Sequence, residues 1–262
     1  MDRFDIELLI EAAEAAADAA AAVIRPYFRT GVAADLKPDQ SPVTIADHAA
    51  ERALRTVLGE RFPRHGIHGE EFGEHNPGAD LCWVLDPIDG TRAFITGRLS
   101  FGTLIALMHD GEPILGVMNQ PITGERWIGA AGRPTVFRGP LGGRAGCRRC
   151  PTLDQAELSL TSTEVFTPTD LRPWERLHRA VRRTTLGGDC YGYGLLALGH
   201  IDVIAEATMH LWDWAALVPV IEGAGGRLTD WHGRKLTAGC DGHTLAVGDP
   251  ALLEQAIDIL TA

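Results

Sequence analysis

The sequence predicts an α/β protein built from two halves, because three patterns follow one another along the chain. Apolar residues at helical spacing come first, over residues 4–59. Short apolar runs separated by Asp-Gly and Thr-Gly turns follow, as in an antiparallel meander. After residue 152 strands alternate with helices, which indicates a layered arrangement. The Gly-, Arg- and Pro-rich stretch 132–152 lies between them. We therefore predict an α+β half over 1–145 and an α/β half over 146–262.

Each element follows from local signals. Two helices open the chain, at residues 4–28 and 44–59, and Gly31 and Phe62-Pro63 mark their ends. The rest of the first half has predicted strands within 66–73 and at 83–85, 102–109, 114–119 and 126–130. The second half has predicted strands at 158–162, 184–186, 202–207, 227–230 and 245–247, and predicted helices at 173–181, 191–198, 211–222 and 251–260.

The composition is that of a globular protein with an acidic surplus. Of its 262 residues, 45% are hydrophobic and 23% charged, and the net charge is −11. This charge argues against nucleic acid and anionic membranes as partners. No apolar run approaches the length of a membrane span, and the five scattered cysteines form no disulfide framework, so we expect a cytoplasmic protein. Such an acidic protein would bind a phosphate ester best through recruited cations.

The stretch from Trp83 to Thr91 is the most informative in the chain. An apolar strand runs into Asp86 and Asp89, which lie close enough across a proline-initiated turn to bind one metal cluster. Gly90 lets the backbone approach a ligand, and the amides of Gly90 and Thr91 could face an anion. A plain Asp-Pro and Asp-Gly turn is the alternative interpretation.

Carboxylates at three further places could join this stretch. Asp47 follows Thr44 at a helix start, Glu70 and Glu71 lie in a Gly-rich loop, and Asp213 lies between two tryptophans. A capping box at Asp47 and a helix N-cap at Asp213 are the simpler interpretations. Flanking aromatic rings would partly desolvate Asp213, however, and such a carboxylate is best kept ionised by a cation. Oxygen ligands without a His or Cys cluster favour Mg²⁺, or Mn²⁺, over Zn²⁺.

Together these motifs resemble those of the inositol monophosphatase-like phosphatases, in the same order and over nearly the whole chain. The matching stretches are Thr44-Ile45-Ala46-Asp47, Gly69-Glu70-Glu71, Trp83 to Thr91 followed by Phe94, Trp212-Asp213 with Ala215-Ala216, and Glu222 to Gly226. The resemblance implies an α/β fold, a layered αβαβα sandwich of the inositol monophosphatase/fructose-bisphosphatase type, with the site at the junction of the halves. It also implies a hydrolase of small phosphate monoesters, and a homodimer.

The resemblance further implies a role for each matching residue. The implied metal ligands are Glu70, Asp86, the carbonyl of Ile88, Asp89 and Asp213. Asp86 would bridge two Mg²⁺ ions, and Glu70 would also bind a third, weaker one, so two to three ions are expected. The implied catalytic residues are Glu70, Thr91 and Asp47. Thr91 would hydrogen-bond the water that attacks phosphorus, and Asp47 would orient the Thr91 hydroxyl, with no phosphorylated side chain as intermediate.

The substrate is predicted mainly from the second half. Asp189, Tyr191 and Tyr193 lie at a Gly-rich strand-to-helix turn, and Glu206 lies shortly before Asp213. Two carboxylates beside aromatic rings suit a cationic, planar group. The run Gly-Asp-Cys-Tyr-Gly-Tyr also resembles the histidinol-phosphatase branch of the family, so we predict L-histidinol phosphate as substrate, in histidine biosynthesis. The predicted substrate-binding residues are Gly90, Thr91, Arg183, Asp189, Tyr191, Glu206 and Asp213.

Other interpretations stay open at this point. Asp189 could cap the following helix, the tyrosines could be packing residues, and Arg183 could belong to a solvated edge. The enzyme could instead be a broad inositol-1-phosphate, sugar-phosphate or polyol-phosphate phosphatase. A catalytically inactive metal-binding regulator would keep the fold without turnover. Cys147 and Cys150 have the spacing of a metal or redox pair, but no second pair follows them.

Overall fold

Layers of helix and sheet alternate through the molecule in the order helix, sheet, helix, sheet, helix. The computed structural model describes residues 4–38 and 41–262. Its two main sheets contain seven and five strands, and three clusters of buried apolar side chains lie between the layers. The predicted αβαβα sandwich is confirmed.

The elements have the following bounds in chain order. The helices are α1 Ile6–Ile24, α2 Ile45–Arg61, α3 Thr91–Ile95, α4 Pro168–Ala180, α5 Asp189–Leu196, α6 Leu211–Trp214, α7 Leu217–Gly223 and α8 Leu253–Thr261. The strands are β1 Ala34–Leu36, β2 Pro42–Thr44, β3 Gly66–Gly69, β4 Gly73–His75, β5 Leu81–Asp89, β6 Gly102–His109, β7 Glu112–Gln120, β8 Glu125–Ala130, β9 Val136–Arg138, β10 Glu157–Leu160, β11 Arg183–Leu186, β12 Val203–Glu206, β13 Arg227–Thr229 and β14 Thr244–Val247. Within the two described ranges, no helix combines the length and apolarity needed to cross a membrane.

The helices α1 and α2 cover one face of the larger sheet. Asp5 caps α1 by accepting a backbone N–H, and the buried face of α1 is mostly alanine, which lets neighbouring elements approach closely. The helix ends at Ile24 and not at the predicted Phe28, because a 3₁₀ turn containing Pro26 follows it.

The two sheets differ in strand direction. The larger sheet has the order β4-β3-β5-β6-β7-β8-β9, in which only β3 and β5 are parallel neighbours, so the predicted meander is confirmed as β6, β7 and β8. The smaller sheet has the order β11-β10-β12-β14-β13, and β11, β10 and β12 are parallel. These parallel strands direct their carboxyl ends to one edge, where ligands commonly bind.

Two further helical segments differ from the sequence prediction. A capping box at Thr167 starts α4 at Pro168, ahead of the predicted start at Pro173. Residues 211–222 form α6 and α7 instead of one helix. Pro219 lacks the N–H that would continue the hydrogen-bonding of the preceding turn, which favours a break there.

The middle helical layer packs very closely against the larger sheet. A Cβ atom on Gly116 of β7 would lie 2.0 Å from the carbonyl oxygen of Ala216, and one on Gly129 of β8 would lie 2.2 Å from the backbone of Pro219. Only glycine permits this approach. The apolar cluster here contains side chains from both predicted halves, and the boundary at residue 145 stays a prediction.

Gly129→Ala should therefore destabilise the protein. The added methyl group has no space against α7, and overpacking of this kind costs about 1–3 kcal/mol. Gly59→Ala is the matched control, because Gly59 lies in α2 with open space around its Cβ position. This control should be stabilised by about 0.5–1 kcal/mol through helix propensity. Urea denaturation measures both free energies of unfolding, and equal stability of the two variants would contradict the packing described.

Candidate active site

The candidate site begins where β5 ends. The pairing of β5 with β6 shifts register between Asp86 and Asp89, which bends the strand at this point. Gly90 follows with φ of 83° and precedes α3. A Cβ atom on Gly90 would lie 3.0 Å from the side chain of Asp189, so glycine is needed both for the backbone conformation and for the contact.

Asp213 reaches the same place from a helix in the second half of the chain. It lies in the first turn of α6, where its Oδ2 accepts the backbone N–H of His210 at 2.7 Å. One oxygen from each of Asp86, Asp89 and Asp213 lies within 4.8 Å of the others, and we call these three residues the carboxylate cluster. Oδ1 of Asp86 is buried and has no hydrogen-bond partner within residues 4–38 and 41–262. An oxygen-only donor set with an unpartnered buried oxygen fits a hard divalent cation.

Burial and mutual repulsion disfavour the ionised forms of the cluster. Burial, followed by the charges of Glu70 and Asp89, raises the pKa of Asp86 well above its usual range. Burial and then the charge of Asp189 raise the pKa of Asp89 to about 7. Burial and then the charge of Asp89 also raise the pKa of Asp213. A bound cation would favour the ionised forms of all three.

Glu70, the further carboxylate predicted as a ligand, contacts a lysine that sequence analysis missed. Lys37 Nζ lies 2.6 Å from Oε1 of Glu70 and 2.7 Å from Oε1 of Glu71. Burial lowers the pKa of Lys37, but the hydrogen bonds and charges of the two glutamates outweigh it, so the net pKa is raised. The lysine is therefore a permanent positive charge beside the site. The charge of Glu70 still acts on both Asp86 and Asp213.

Glu51, on α2, holds the acidic loop and was also missed. It is fully buried and accepts the backbone N–H groups of Glu71 at 2.7 Å and Phe72 at 3.2 Å. Arg55 donates to it at 2.7 Å and balances its charge. A Cβ atom on Gly69 would lie 2.0 Å from Oε1 of Glu51, so the loop can pack here only with glycine.

Asp47 closes a helix cap and also faces the hydroxyl of Thr91. Its Oδ2 accepts the N–H of Thr44 at 2.8 Å and closes the capping box of α2. Its Oδ1 lies 3.3 Å from Oγ1 of Thr91, which also lies 3.2 Å from the carbonyl oxygen of Ile88. Burial raises the pKa of Asp47 in spite of these hydrogen bonds. The helix cap thus places the carboxylate that faces the Thr91 hydroxyl.

A cavity of about 150 Å³ adjoins the carboxylate cluster. Glu206 lines it at the end of β12, 6% exposed, and accepts the N–H of Thr161 at 2.7 Å. Asp189 lines it from the start of α5 and accepts the hydroxyl of Ser100 at 2.5 Å. Tyr193 supplies an aromatic wall. Asp89 and Asp213 of the cluster line the same cavity, and four carboxylates around so small a space suit positively charged groups.

Two predicted substrate residues lie elsewhere. The hydroxyl of Tyr191 donates to Glu125 at 2.7 Å, and Tyr193 lines the cavity in its place. Arg183 lies at the start of β11 and pairs with Glu157 at 2.6 Å, whereas the cavity lies at the carboxyl ends of the parallel strands. Tyr191 thus contacts Glu125 and Arg183 contacts Glu157, and neither is among the residues that line the cavity.

Comparison with known proteins identifies the family to which this chain belongs. A model of the inositol monophosphatase family matches residues 5–260. The chain belongs to this family. The chloroplastic bifunctional phosphatase IMPL2 of Arabidopsis thaliana is 44% identical, over 94% of this chain and 73% of the relative. A histidinol-phosphatase of Chlorobaculum parvum is 37% identical, over 88% of this chain and 87% of the relative. A solved inositol monophosphatase from Zymomonas mobilis is 48% identical with a TM-score of 0.89, over 99% of this chain and 100% of the other.

Membership makes the chain a phosphatase of the inositol monophosphatase family. The carboxylate cluster supplies a candidate site for the metal on which the family depends. The cavity beside the cluster has room for the organic part of a small phosphate ester.

The metal-free protein should lose stability as the pH rises. The pKa of Asp89 is about 7 in the folded protein against 3.8 ordinarily, so between these values the folded state keeps a proton that the unfolded chain releases. The free energy of unfolding should therefore fall across this interval, by about 1.4 kcal/mol for each pKa unit between the two states. Thermal unfolding in EDTA measures this, with saturating Mg²⁺ as the control. A fall of the same size in both series would contradict the site.

Proposed function

We propose that this phosphatase hydrolyses L-histidinol phosphate to L-histidinol and inorganic phosphate with the help of Mg²⁺. The observation that carries the proposal is the pair Asp189 and Glu206 in the cavity beside the carboxylate cluster. The cluster would serve the phosphate end of the substrate through cations, and the pair would serve a positively charged end. Histidinol phosphate has a phosphate, an ammonium and an imidazole in one small molecule.

The cations would be held mainly by the cluster. The proposed ligands are Asp86, Asp89, Asp213, Glu70 and the carbonyl of Ile88. Bound divalent ions lower the pKa of water and neutralise charge on ester oxygens. Two to three Mg²⁺ ions are proposed, and Mn²⁺ would suit the same oxygen ligands.

Thr91 and Asp47 would orient the attacking water. The Thr91 hydroxyl has a single proton, and when that proton bonds to Oδ1 of Asp47 the oxygen lone pairs are free to accept from water. Asp47 cannot turn away, because its other oxygen is held in the capping box. The backbone of Gly90, bare of a side chain, would let the phosphate approach.

The cationic end of the substrate would bind between Asp189 and Glu206. Burial raises the pKa of both carboxyls, although hydrogen bonds from Ser100 and Thr161 oppose the shift. A cation in the cavity favours the ionised forms of both carboxyls. The attraction between the cation and these carboxylates would contribute binding energy that a neutral polyol lacks.

Inositol 1-phosphate is the second candidate substrate. The Zymomonas mobilis relative, at 48% identity, is an inositol monophosphatase, and the Arabidopsis relative is named a bifunctional phosphatase. Hydroxyl groups of a polyol can donate to the same carboxylates, so the cavity geometry does not reject it.

The compartment and assembly are proposals of the same kind. Five free cysteines fit a reducing compartment, and we propose the cytoplasm, although the Arabidopsis relative is chloroplastic. A homodimer is proposed from the family resemblance, and analytical ultracentrifugation tests it.

Phosphate release should be faster from L-histidinol phosphate than from inositol 1-phosphate. Asp189→Asn and Glu206→Gln should each lower kcat/KM for histidinol phosphate about tenfold to a hundredfold, because a charge-assisted hydrogen bond contributes about 1.5–3 kcal/mol. Inositol 1-phosphate should be affected less. Steady-state assays with both esters measure this. Faster release from inositol 1-phosphate would favour the second candidate, and no release from any small monoester would favour an inactive regulator.

Thr91→Val should lower kcat by about 10²–10⁴ through loss of the water-orienting hydroxyl. Thr91→Ser is the matched control, because it keeps the hydroxyl that faces Asp47. Calorimetric titration with Mg²⁺ should show similar cation binding in both variants, since the Thr91 side chain is not a proposed ligand. Full activity of Thr91→Val would rule out this role.

A further inference from the structure

The side chain of Asp189 is held in one position from three sides. Its backbone adopts a left-handed conformation with φ of 42°, which few residues other than glycine adopt. Its Cβ and Cγ pack on Gly90, where a side chain would come within 3.0 Å. Ser100 donates to its Oδ2 at 2.5 Å. The remaining oxygen, Oδ1, is the one available to a ligand.

Arg98, two residues before Ser100, brings a positive charge to the same carboxylate. A Cβ atom on Gly187 would lie 2.6 Å from Nη1 of Arg98, so the guanidinium rests on the backbone just before Asp189. Arg98 and Asp189 both line an outer cleft of about 690 Å³, which shares Thr161 and other residues with the inner cavity. The charge of Arg98 lowers the pKa of Asp189 against the larger effect of burial.

We infer that Arg98 and Ser100 determine the substrate specificity of this site. Ser100 orients Asp189 as the acceptor for a cationic group on the substrate, and the guanidinium of Arg98, which rests on Gly187, places a like charge beside that group. This inference rests on the proposed function. A neutral leaving group would be little affected by the charge of Arg98, whereas a cationic one would be repelled by it when it binds to Asp189.

Arg92 provides a matched control for this idea. It lines the same outer cleft and is exposed, as Arg98 is. Its guanidinium pairs with Glu164 at 2.6 Å and not with Asp189. Arg92→Gln therefore removes the same charge from the same cleft and leaves the positive charge beside Gly187 and Asp189 in place, and general attraction of the phosphate should change similarly in both variants.

The test compares kcat/KM for L-histidinol phosphate with kcat/KM for inositol 1-phosphate in each variant. Arg98→Gln should raise this ratio about twofold to fivefold, the size expected for an interaction between exposed charges, through a lower KM for the cationic ester. Ser100→Ala should lower the ratio about fivefold by losing one hydrogen bond. Arg98→Lys and Arg92→Gln should leave it within twofold of the wild type.

A second readout is independent of turnover. Calorimetric binding of L-histidinol, in the presence of Mg²⁺ and inorganic phosphate, should be tighter for Arg98→Gln and weaker for Ser100→Ala. An unchanged or lower ratio in Arg98→Gln, or an equal rise in Arg92→Gln, would overturn the inference. Failure of the proposed function would be a separate result, namely a wild-type ratio below one. Whether or not that ratio exceeds one, the changes in the ratio among the variants still test the inference.

Discussion

Repulsion among buried carboxylates is the constraint on which the structure of this site depends. Most of these carboxylates accept a backbone N–H, a fixed dipole that partly replaces lost hydration without adding a charge. The pairs are Asp89 with Cys190, Asp213 with His210, Asp47 with Thr44, Glu206 with Thr161, and Glu51 with Glu71. Glu70 and Asp189 differ, since the side chains of Lys37 and Ser100 donate to them, and Oδ1 of Asp86 has no hydrogen-bond partner among the described residues. A buried oxygen of the cluster is thus left open to a cation.

One of these backbone donors also connects the larger sheet with a helix of the second half. The N–H bonded by Asp89 of β5 belongs to Cys190 of α5, at 2.7 Å, so a cluster residue of the first sheet is held by the helical layer that carries the cavity. Asp189, the neighbouring residue, packs on Gly90. The cluster and the cavity are therefore joined by direct contacts between the end of β5 and the start of α5.

Local sequence signals were enough to predict those site residues that lie close to one another, or beside a helix start, along the chain. Asp86, Asp89 and Gly90 follow one strand, and an acid beside a helix start pointed to Asp213. Lys37, Glu51 and Ser100 gave no such signal, because their partners lie 33, 20 and 89 residues away. Tyr191 and Tyr193 are separated by about 200° around a helix, so only one can face the cavity. Which one depends on where α5 starts, and that start depends on the left-handed backbone of Asp189. The position of Arg183 was predictable in principle, since the first residue of a parallel strand lies opposite the ligand-binding edge.

The same repulsion bears on the substrate. A site with so many carboxylates repels a phosphate ester unless cations reverse its charge, whereas the cavity beyond it keeps two carboxylates of its own. With cations bound, the site would be positively charged at the cluster and negatively charged at Asp189 and Glu206. A molecule with a phosphate at one end and a cation at the other matches both ends, and its two charges fix its orientation in a way that a polyol phosphate cannot reproduce. Such matching favours a zwitterionic ester over a uniformly anionic one, and it makes the charge beside Asp189 the natural place for specificity to change within an otherwise unaltered catalytic site.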